Sequence, residues 1–389
     1  MTSADISNIL ETLAQEDNLR RLRVSVPEGK YIETGGRRYL NLSSNDYLGL
    51  AADTVLQREF LGSLLSEERF VMGSPASRLM TGNVPEYEEL EAALAALWPE
   101  RAALVLGSGY AVNGAILPAV TGKEDVVLAD KYVHASIIDG LRLCGCRWER
   151  YRHNDTEHLE TLVRRLREGG HTADIWVATE SVFSMDGDRA PLHELADLKN
   201  RYGIRIYLDE AHAFGAMGPG GRGLAVEQGT AGGTDIIVAT LGKAFASVGG
   251  FVICSGEMRE LLVNRMRTLI FSTALPPVNL RWSKFLLDRL PDFDGRRERL
   301  AELVNALTPD NPEATHIVPL MTYGNSEATV LAERLRESGY WVTPIKHPTV
   351  PRGKARVRVS LSAALSKDDI IRFKEVCDSI LCEGAAVEN

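Results

Sequence analysis

The sequence predicts an α/β protein with a large, mostly parallel central sheet domain and a smaller α+β domain nearer the C-terminus. Between about residues 86 and 275, short apolar runs alternate with helical stretches, as expected of a parallel sheet covered by helices on both faces. After Pro276 and Pro277 the pattern changes to longer helices with fewer strands. We therefore expect an N-terminal arm over 1–45, a large domain over 46–280 and a small domain over 281–389.

Composition limits the classes of function. A chain of 389 residues is too long for one small hydrophobic core. Its 44% apolar and 25% charged residues are ordinary values for a globular protein. A net charge of -9 disfavours nucleic acid as a partner, because binding it requires a basic surface. The first 15 residues carry acids and no long apolar run, so we expect neither a signal peptide nor a membrane span. The five scattered cysteines lack zinc spacing, so we expect reduced thiols, no metal site and a cytoplasmic enzyme.

The elements follow in order along the chain. Residues 3–23 are predicted to form a helix with a basic end, followed by a strand pair around 30–42. The apolar runs that predict the central sheet are 103–107, 126–130, 175–179, 204–209, 236–241 and 250–255. In the second domain we expect a helix over 326–339 and paired strands over 341–345 and 355–362.

Ligands of such sheets bind beyond the carboxyl ends of the strands, so the residues after each run are candidates for the site. Ser108, Gly109 and Tyr110 follow the first run and open a helix, whose free N–H groups suit a phosphate. A glycine turn between strand and helix is also common for backbone reasons alone. This segment therefore becomes informative only together with the other strand ends.

Two further strand ends carry polar residues. His134 follows the second run, where it could stack on a flat heterocycle or simply pack in a loop. Asp209 ends the run at 204–209, and His212 lies three residues later. A carboxylate buried at that position is costly unless it meets a cationic N–H, and a protonated pyridine nitrogen is such a partner.

Lys243 follows the run at 236–241, in a loop that begins with Thr240 and contains small residues. An amine that forms an imine must be uncharged, which a confined and partly desolvated site favours. Most lysines are solvated surface residues. The order of phosphate turn, ring-stacking histidine, carboxylate and then lysine 34 positions beyond Asp209 favours the catalytic interpretation.

Four segments resemble a known family. They are the SNDYLGL segment at 44–50, SVFSMDGD at 181–188, LDEAHAFGAMGPGGRG at 208–223 and TLGKAFASVGG at 240–250. Together they resemble the α-oxoamine synthases, which are fold-type-I enzymes dependent on pyridoxal 5'-phosphate (PLP). The resemblance extends from about Arg20 to about Leu365.

The resemblance implies a role for each residue of the candidate site. Lys243 would be the Schiff-base lysine, Asp209 would pair the pyridine nitrogen and His134 would stack on the ring. His212, with Ser184, would contact the phenolic oxygen, and Lys243, Asp209, His134 and His212 would be the catalytic set. The implied phosphate-binding residues are Ser108, Gly109, Tyr110 and Thr240, together with Ser272 and Thr273 from the second subunit of a homodimer.

The resemblance also implies the reaction. The segments His153-Asn154-Asp155, 271–277 and 348–358 are similar to the biotin-pathway branch of the family, which condenses L-alanine with a pimeloyl thioester on coenzyme A or acyl carrier protein and releases CO2. The alternatives are glycine with acetyl-CoA, another α-oxoamine synthase, an aminotransferase or a non-catalytic protein of this fold. Tyr87 and Pro75 depart from the family's usual pattern and leave the acyl specificity open.

Four residues are candidates for binding substrate. Arg358 would hold the amino acid's carboxylate in a bidentate pair, with Arg356 as the alternative. Arg20 would bind the distal carboxylate of the acyl chain, or would be the basic end of a helix. Asn45 and Thr349 complete the set.

Overall fold

The computed structural model describes residues 2–66 and 71–387. Its contacts divide the chain into two compact units. The first comprises the N-terminal residues to Ala52, Met185–Gly187 and the chain from Arg299 onward; the second comprises Asp53–Ser184 and Asp188–Glu298. The functional domain limits expected at 45/46 and 280/281 stay a proposal.

The helices are α1 (Ser3–Gln15), α2 (Thr54–Leu65), α3 (Pro85–Ala96), α4 (Gly109–Val120), α5 (Ala135–Leu143), α6 (Thr156–Glu168), α7 (Leu192–Tyr202), α8 (Leu224–Glu227), α9 (Gly256–Arg265), α10 (Arg267–Ile270), α11 (Pro277–Asp288), α12 (Asp294–Leu307), α13 (Asn325–Glu337) and α14 (Lys367–Val387). The strands are β1 (Val26–Glu28), β2 (Tyr31–Thr34), β3 (Arg37–Asn41), β4 (Ala102–Leu106), β5 (Val126–Asp130), β6 (Arg147–Tyr151), β7 (Ile175–Glu180), β8 (Arg205–Asp209), β9 (Ile236–Thr240), β10 (Gly250–Cys254), β11 (Ile317–Tyr323), β12 (Tyr340–Trp341), β13 (Thr343–Ile345) and β14 (Ala355–Ser360). Among the helices within these described ranges, none is both long and apolar enough to cross a membrane.

The second unit contains a seven-stranded sheet of order β4-β10-β9-β8-β7-β5-β6. Neighbouring strands are parallel except at β10, which is antiparallel to both β4 and β9. Every residue of β5, β7 and β10 is buried, as the continuous apolar runs predict. The predicted large, mostly parallel sheet is confirmed.

One strand of this sheet has no apolar run in the sequence. β6 has the sequence RWERY and pairs only with β5, at the edge of the sheet. An edge strand is covered less than a central one, so charged residues are tolerated there and the apolar pattern is lost.

The first unit contains two smaller sheets, of order β1-β2-β3-β12 and β11-β14-β13. The predicted pairing of the strands near 343 and 357 is confirmed, with Pro344 opposite Val357 in an antiparallel register. The predicted helix over 326–339 is confirmed as α13.

The N-terminal helix is shorter than predicted. It ends at Gln15 rather than near residue 23, and Asp17 has a φ of 53°, which is outside the helical region. The prediction of a basic helix end around Arg20 was wrong because the polar run Glu16-Asp17-Asn18 terminates the helix first.

Candidate active site

A cavity lies at the carboxyl ends of the parallel strands in the second unit. It has a volume of about 500 Å³, counting its open mouth, and brings together seven of the predicted site residues. These are Gly109 after β4, His134 after β5, Asp209 at the end of β8, Thr240 at the end of β9, and Tyr110, His212 and Lys243 in the segments that follow. The topology thus gathers residues that are up to 134 positions apart in a single pocket.

Asp209 is 3% exposed, and both of its carboxylate oxygens accept hydrogen bonds. The backbone N–H of Ala211 donates to Oδ1 at 2.8 Å, and Asn113 Nδ2 donates to Oδ2 at 2.7 Å. The hydroxyl of Tyr207 donates in turn to Asn113 Oδ1. These bonds fix the carboxylate's orientation at the end of β8.

Lys243 lies in the turn after β9, and its Nζ is 2.7 Å from Nε2 of His212. The turn closes through backbone hydrogen bonds, including one from Ala246 N to the Lys243 carbonyl at 2.9 Å. Ala246 has a φ of 43°, a left-handed conformation that a residue with a Cβ rarely adopts. The strained turn therefore holds the lysine at a defined position.

His134 caps the N-terminus of α5, and its Nδ1 lies 2.7 Å from Ser136 Oγ. Burial lowers the pKa of His134; nearby Asp209 opposes this shift and Lys243 adds to it. The imidazole is thus mainly neutral at pH 7, which suits a ring that packs against a flat ligand rather than one that carries charge.

The turn between β4 and α4 is the segment for which the sequence predicts a phosphate site. Ser108 caps α4 by accepting a hydrogen bond from Ala111 N at 3.0 Å. Gly250 of β10 lies so close to this turn that a Cβ there would meet Gly109 N at 2.7 Å. Because Gly250 has no side chain, β10 packs directly against the turn. The N-terminus of α4 then lies at the cavity.

Sequence reasoning missed three buried polar residues of this cavity, Asn113, Ser136 and Glu180. Glu180 is 2% exposed at the end of β7. Burial, together with repulsion from Asp209, raises the pKa of Glu180 well above its ordinary value, which favours the neutral form of this carboxyl. Its position at the end of an apolar run, like that of Asp209, was the available signal.

Four predicted cofactor residues are not among the residues that line the cavity in this single chain: Ser108, which caps α4, and Ser184, Ser272 and Thr273. Ser184 is half-buried, whereas Ser272 and Thr273 are exposed. The backbone of Thr273 forms an isolated antiparallel β-bridge with Ser77.

The arrangement suits an aromatic cofactor that carries an aldehyde, a ring nitrogen and a phosphate. Lys243 offers an amine for the aldehyde, buried Asp209 offers a carboxylate for a protonated ring nitrogen, and the N-terminus of α4 offers N–H groups for the phosphate. These are the groups of PLP, and the residues present fit it.

The His153-Asn154-Asp155 segment, singled out in the sequence, forms hydrogen bonds with Asp130 and Asp188. His153 lies between two carboxylates, with Nδ1 2.9 Å from Asp130 and Nε2 2.6 Å from Asp188. Asn154, at a φ of 51°, donates from its backbone to Asp130 and from its side chain to Asp188. The motif therefore ties the segment after β6 to β5 and to residue 188.

The first unit contains the predicted substrate residues. Arg358 is 8% exposed and donates to Ser360 Oγ at 2.5 Å and to Asn45 Oδ1 at 3.3 Å. Arg356, the alternative candidate, forms an ion pair with Asp186 and donates to the Lys354 carbonyl.

The other two predicted substrate residues, Arg20 and Thr349, are at the surface of the same unit. Arg20 is exposed, and its Nη2 donates to Thr349 Oγ1 at 3.4 Å. Two predicted substrate residues that are 329 positions apart are therefore in contact.

Comparisons with known proteins agree with this chemistry. The model of the family described as aminotransferase class I and II matches residues 37–380. A relative from Neisseria meningitidis serogroup C, which carries the provisional name 8-amino-7-oxononanoate synthase, is 43% identical over 376 residues, covering 94% of this chain and 97% of its own. A Haemophilus influenzae relative with the same provisional name has the same identity and coverage.

Solved structures have the same fold. Serine palmitoyltransferase from S. paucimobilis, determined with PLP and myriocin bound, is 26% identical with a TM-score of 0.87, covering 97% of each chain. 8-Amino-7-oxononanoate synthase from Francisella tularensis is also 26% identical, with a TM-score of 0.74, covering 89% of this chain and 99% of its own. The chain therefore belongs to the aminotransferase class I and II family and is a PLP-dependent acyltransferase of fold type I.

Proposed function

We propose that this enzyme condenses L-alanine with a pimeloyl thioester, carried on coenzyme A or acyl carrier protein, to give 8-amino-7-oxononanoate, CO2 and the free thiol. The observation that carries the proposal is the 43% identity, over almost the whole chain, to relatives named for that product. The cavity supports the general chemistry, because it places an amine, a buried carboxylate and a neutral imidazole side by side.

PLP, when bound, withdraws electrons from the bonds at the amino acid's α-carbon. Asp209 would hold the proton on the ring nitrogen that makes this withdrawal effective. Its two hydrogen bonds, from Ala211 and Asn113, preorganise the carboxylate for that role. Ser108, Gly109, Tyr110 and Thr240 would hold the phosphate, with Ser272 and Thr273 of a second subunit, while Ser184 would contact the phenolic oxygen.

Lys243 would hold the cofactor at rest and, once the amino acid replaces it, take the proton from the α-carbon as general base. His212, whose Nε2 is 2.7 Å from the lysine Nζ, would keep the amine oriented and contact the phenolic oxygen. His134 would cover one face of the ring and so exclude water from it.

Arg358 would bind the carboxylate of L-alanine, which fixes the α-bond that is broken. The ion pair of Arg356 with Asp186 favours Arg358 for this role, because Arg356 already has a carboxylate partner. Asn45 would orient the Arg358 guanidinium. Arg20, with Thr349, would bind the distal carboxylate of the pimeloyl chain. We further propose that the enzyme is a cytoplasmic homodimer.

A thiol-release assay tests the substrates. Glycine, L-alanine and L-serine are each combined with acetyl-, pimeloyl- and palmitoyl-CoA. The proposal predicts the highest kcat/KM for L-alanine with pimeloyl-CoA. A preference for glycine with acetyl-CoA, or for L-serine with palmitoyl-CoA, would contradict the proposed substrates while leaving the acyltransferase class intact.

A further inference from the structure

A second cavity lies at the other end of the central sheet from the candidate active site. It has a volume of about 540 Å³, counting its open mouth, and its wall includes Leu97, Trp98 and Arg101, which precede β4, and Ala231 and Gly232, which precede β9. β4 and β9 run in the same direction, since both are antiparallel to β10. The opposite ends of these two strands lead into the phosphate turn and Lys243.

Two hydrogen-bond donors in this wall are buried without a partner among the described residues. They are Nε1 of Trp98, a side chain that is only 5% exposed, and Nη1 of Arg101. The other terminal nitrogen of Arg101, Nη2, donates to the carbonyls of Ala231 and Gly232 at 2.9 and 3.2 Å. Buried donors are nearly always satisfied, so two orphaned donors in one wall indicate a missing acceptor.

The charge of the wall indicates what that acceptor is. Arg222 also lines the cavity, and its Nη1 donates to the Leu97 carbonyl at 3.3 Å. Two guanidinium groups thus border the same space, whereas no aspartate or glutamate is among its described lining residues. Burial lowers the pKa of Arg101, and the negative charge of nearby Asp235 only partly offsets that shift. Asp235 itself is in an ion pair with Lys199.

We propose that this cavity binds a small oxyanion, held by Arg101, Arg222 and the indole N–H of Trp98. An oxyanion supplies acceptors for both orphaned donors and compensates the two positive charges. The remaining wall, formed by Leu97, Pro99 and Val226, is apolar. Phosphate and carboxylate groups share the required chemistry, whether as small free anions or at the end of a metabolite. The site is separate from the phosphate site for PLP.

The binding test uses the enzyme loaded with PLP, so that the cofactor's own phosphate site is occupied. Inorganic phosphate and acetate are titrated separately by calorimetry, while the cofactor's visible absorbance is followed. We expect saturable binding of at least one of these anions with unchanged absorbance. Binding of phosphate alone would indicate a tetrahedral ligand, and binding of acetate would indicate a carboxylate ligand. If neither anion binds saturably, the proposal is overturned.

Two variants connect the binding to the cavity. Trp98→Phe keeps a large ring but removes the N–H, and Arg101→Gln removes one charge; each should weaken anion binding by about 10-fold or more. Arg165→Gln removes an exposed arginine of α6, ion-paired with Glu149 in the same unit, and should leave binding unchanged, which controls for net charge. Equal anion affinity in all three variants and the wild-type enzyme would contradict the assignment.

A crystal of the wild-type enzyme grown with selenate gives an answer that does not depend on the variants folding. The selenate that the anomalous signal locates should place its oxygens within hydrogen-bond distance of Trp98 Nε1 and Arg101 Nη1. Ordered water in contact with both donors, in a crystal whose selenate is elsewhere, would show that the cavity is a hydration site and would overturn the proposal.

Discussion

Lys243 Nζ lies 2.7 Å from His212 Nε2, although one residue follows β9 and the other follows β8. The contact is possible because β8 and β9 are parallel neighbours, so their carboxyl ends lie at the same edge of the sheet. Asp209 lies at that edge too and completes the chemical core of the cavity. The first predictions follow from this grouping.

Lys243→Ala should abolish covalent attachment of PLP and lower turnover by at least about 10³-fold, because the variant lacks both the attaching amine and the proposed general base. Borohydride reduction followed by peptide mapping locates the attachment in the wild-type enzyme. Lys199→Ala, in the same unit but ion-paired with Asp235, is the matched control and should retain the cofactor. A reduced cofactor on any lysine other than Lys243 would refute the assignment.

Asp209→Asn should still bind PLP but slow the exchange of the α-proton of L-alanine by about 10²-fold or more, since a neutral amide no longer stabilises the proton on the ring nitrogen. The exchange is followed by proton NMR in D2O, without any acyl substrate. Exchange at the wild-type rate would exclude the proposed role of Asp209.

Glu180→Gln is the control for that experiment. Glu180 is buried in the same cavity, and burial raises its pKa well above the ordinary value, which favours the neutral form. A neutral amide of similar shape should therefore change proton exchange far less than Asp209→Asn does. Equal losses in both variants would mean that the cavity tolerates no change at either carboxyl, and the specific role of Asp209 would lose its support.

Arg20→Ala and Arg358→Lys should each weaken the binding of a different substrate. Loss of Arg20 should raise KM for pimeloyl-CoA by about 5–20-fold and leave α-proton exchange of L-alanine intact, because the exchange precedes acyl binding. Arg358→Lys keeps the charge but loses the bidentate geometry, and should mainly raise KM for L-alanine.

The matched acyl control is octanoyl-CoA, which lacks the distal carboxylate. If Arg20 recognises that carboxylate, the variant and the wild-type enzyme should use octanoyl-CoA equally well. An equal loss of activity with both thioesters would mean that Arg20 supports folding or binds the coenzyme A carrier instead.

His153 should make stability depend on pH. Burial disfavours its charged form, but hydrogen bonds and charges from Asp130 and Asp188 outweigh burial and raise its pKa to about 9 from an ordinary 6.5. Because the folded pKa is the higher one, the stabilisation is full below about pH 6.5 and is lost as pH rises through 9. Its size is on the order of 2 kcal/mol for this largely buried group.

The measurement compares thermal midpoints of the wild-type enzyme and His153→Gln from pH 6 to pH 10. The deficit of the variant should be largest at about pH 6 and should shrink toward about pH 9.5. His193→Gln, at an exposed position on α7, should show no such trend. A deficit that is constant across this range would contradict the charged state of His153.

Much of the fold follows from the sequence because buried parallel strands leave continuous apolar runs. β6 lacks such a run because it lies at the sheet edge. α1 ends at Gln15 because the polar run Glu16-Asp17-Asn18 follows it, and the helical periodicity does not indicate the left-handed conformation of Asp17. Local patterns predict elements well where burial is complete. They fail where a single exposed residue decides the boundary.

The candidate site was predictable to the extent that its residues stand directly after strands, as His134, Asp209 and Lys243 do. Asn113 was missed because it reaches Asp209 from the second turn of α4, a contact of 96 positions that only the folded sheet creates. Glu180 directly follows the apolar run at 175–179, so the signal that identified Asp209 was also present for Glu180, but it was not used.

The most direct test of the whole account is the stoichiometry of the reaction with L-alanine labelled with ¹³C at the carboxyl carbon and pimeloyl-CoA. Labelled CO2, free thiol and an unlabelled 8-amino-7-oxononanoate are quantified together by mass spectrometry and thiol titration. The account predicts equal amounts of all three products. Release of thiol without labelled CO2, or a product that retains the label, would contradict decarboxylative condensation.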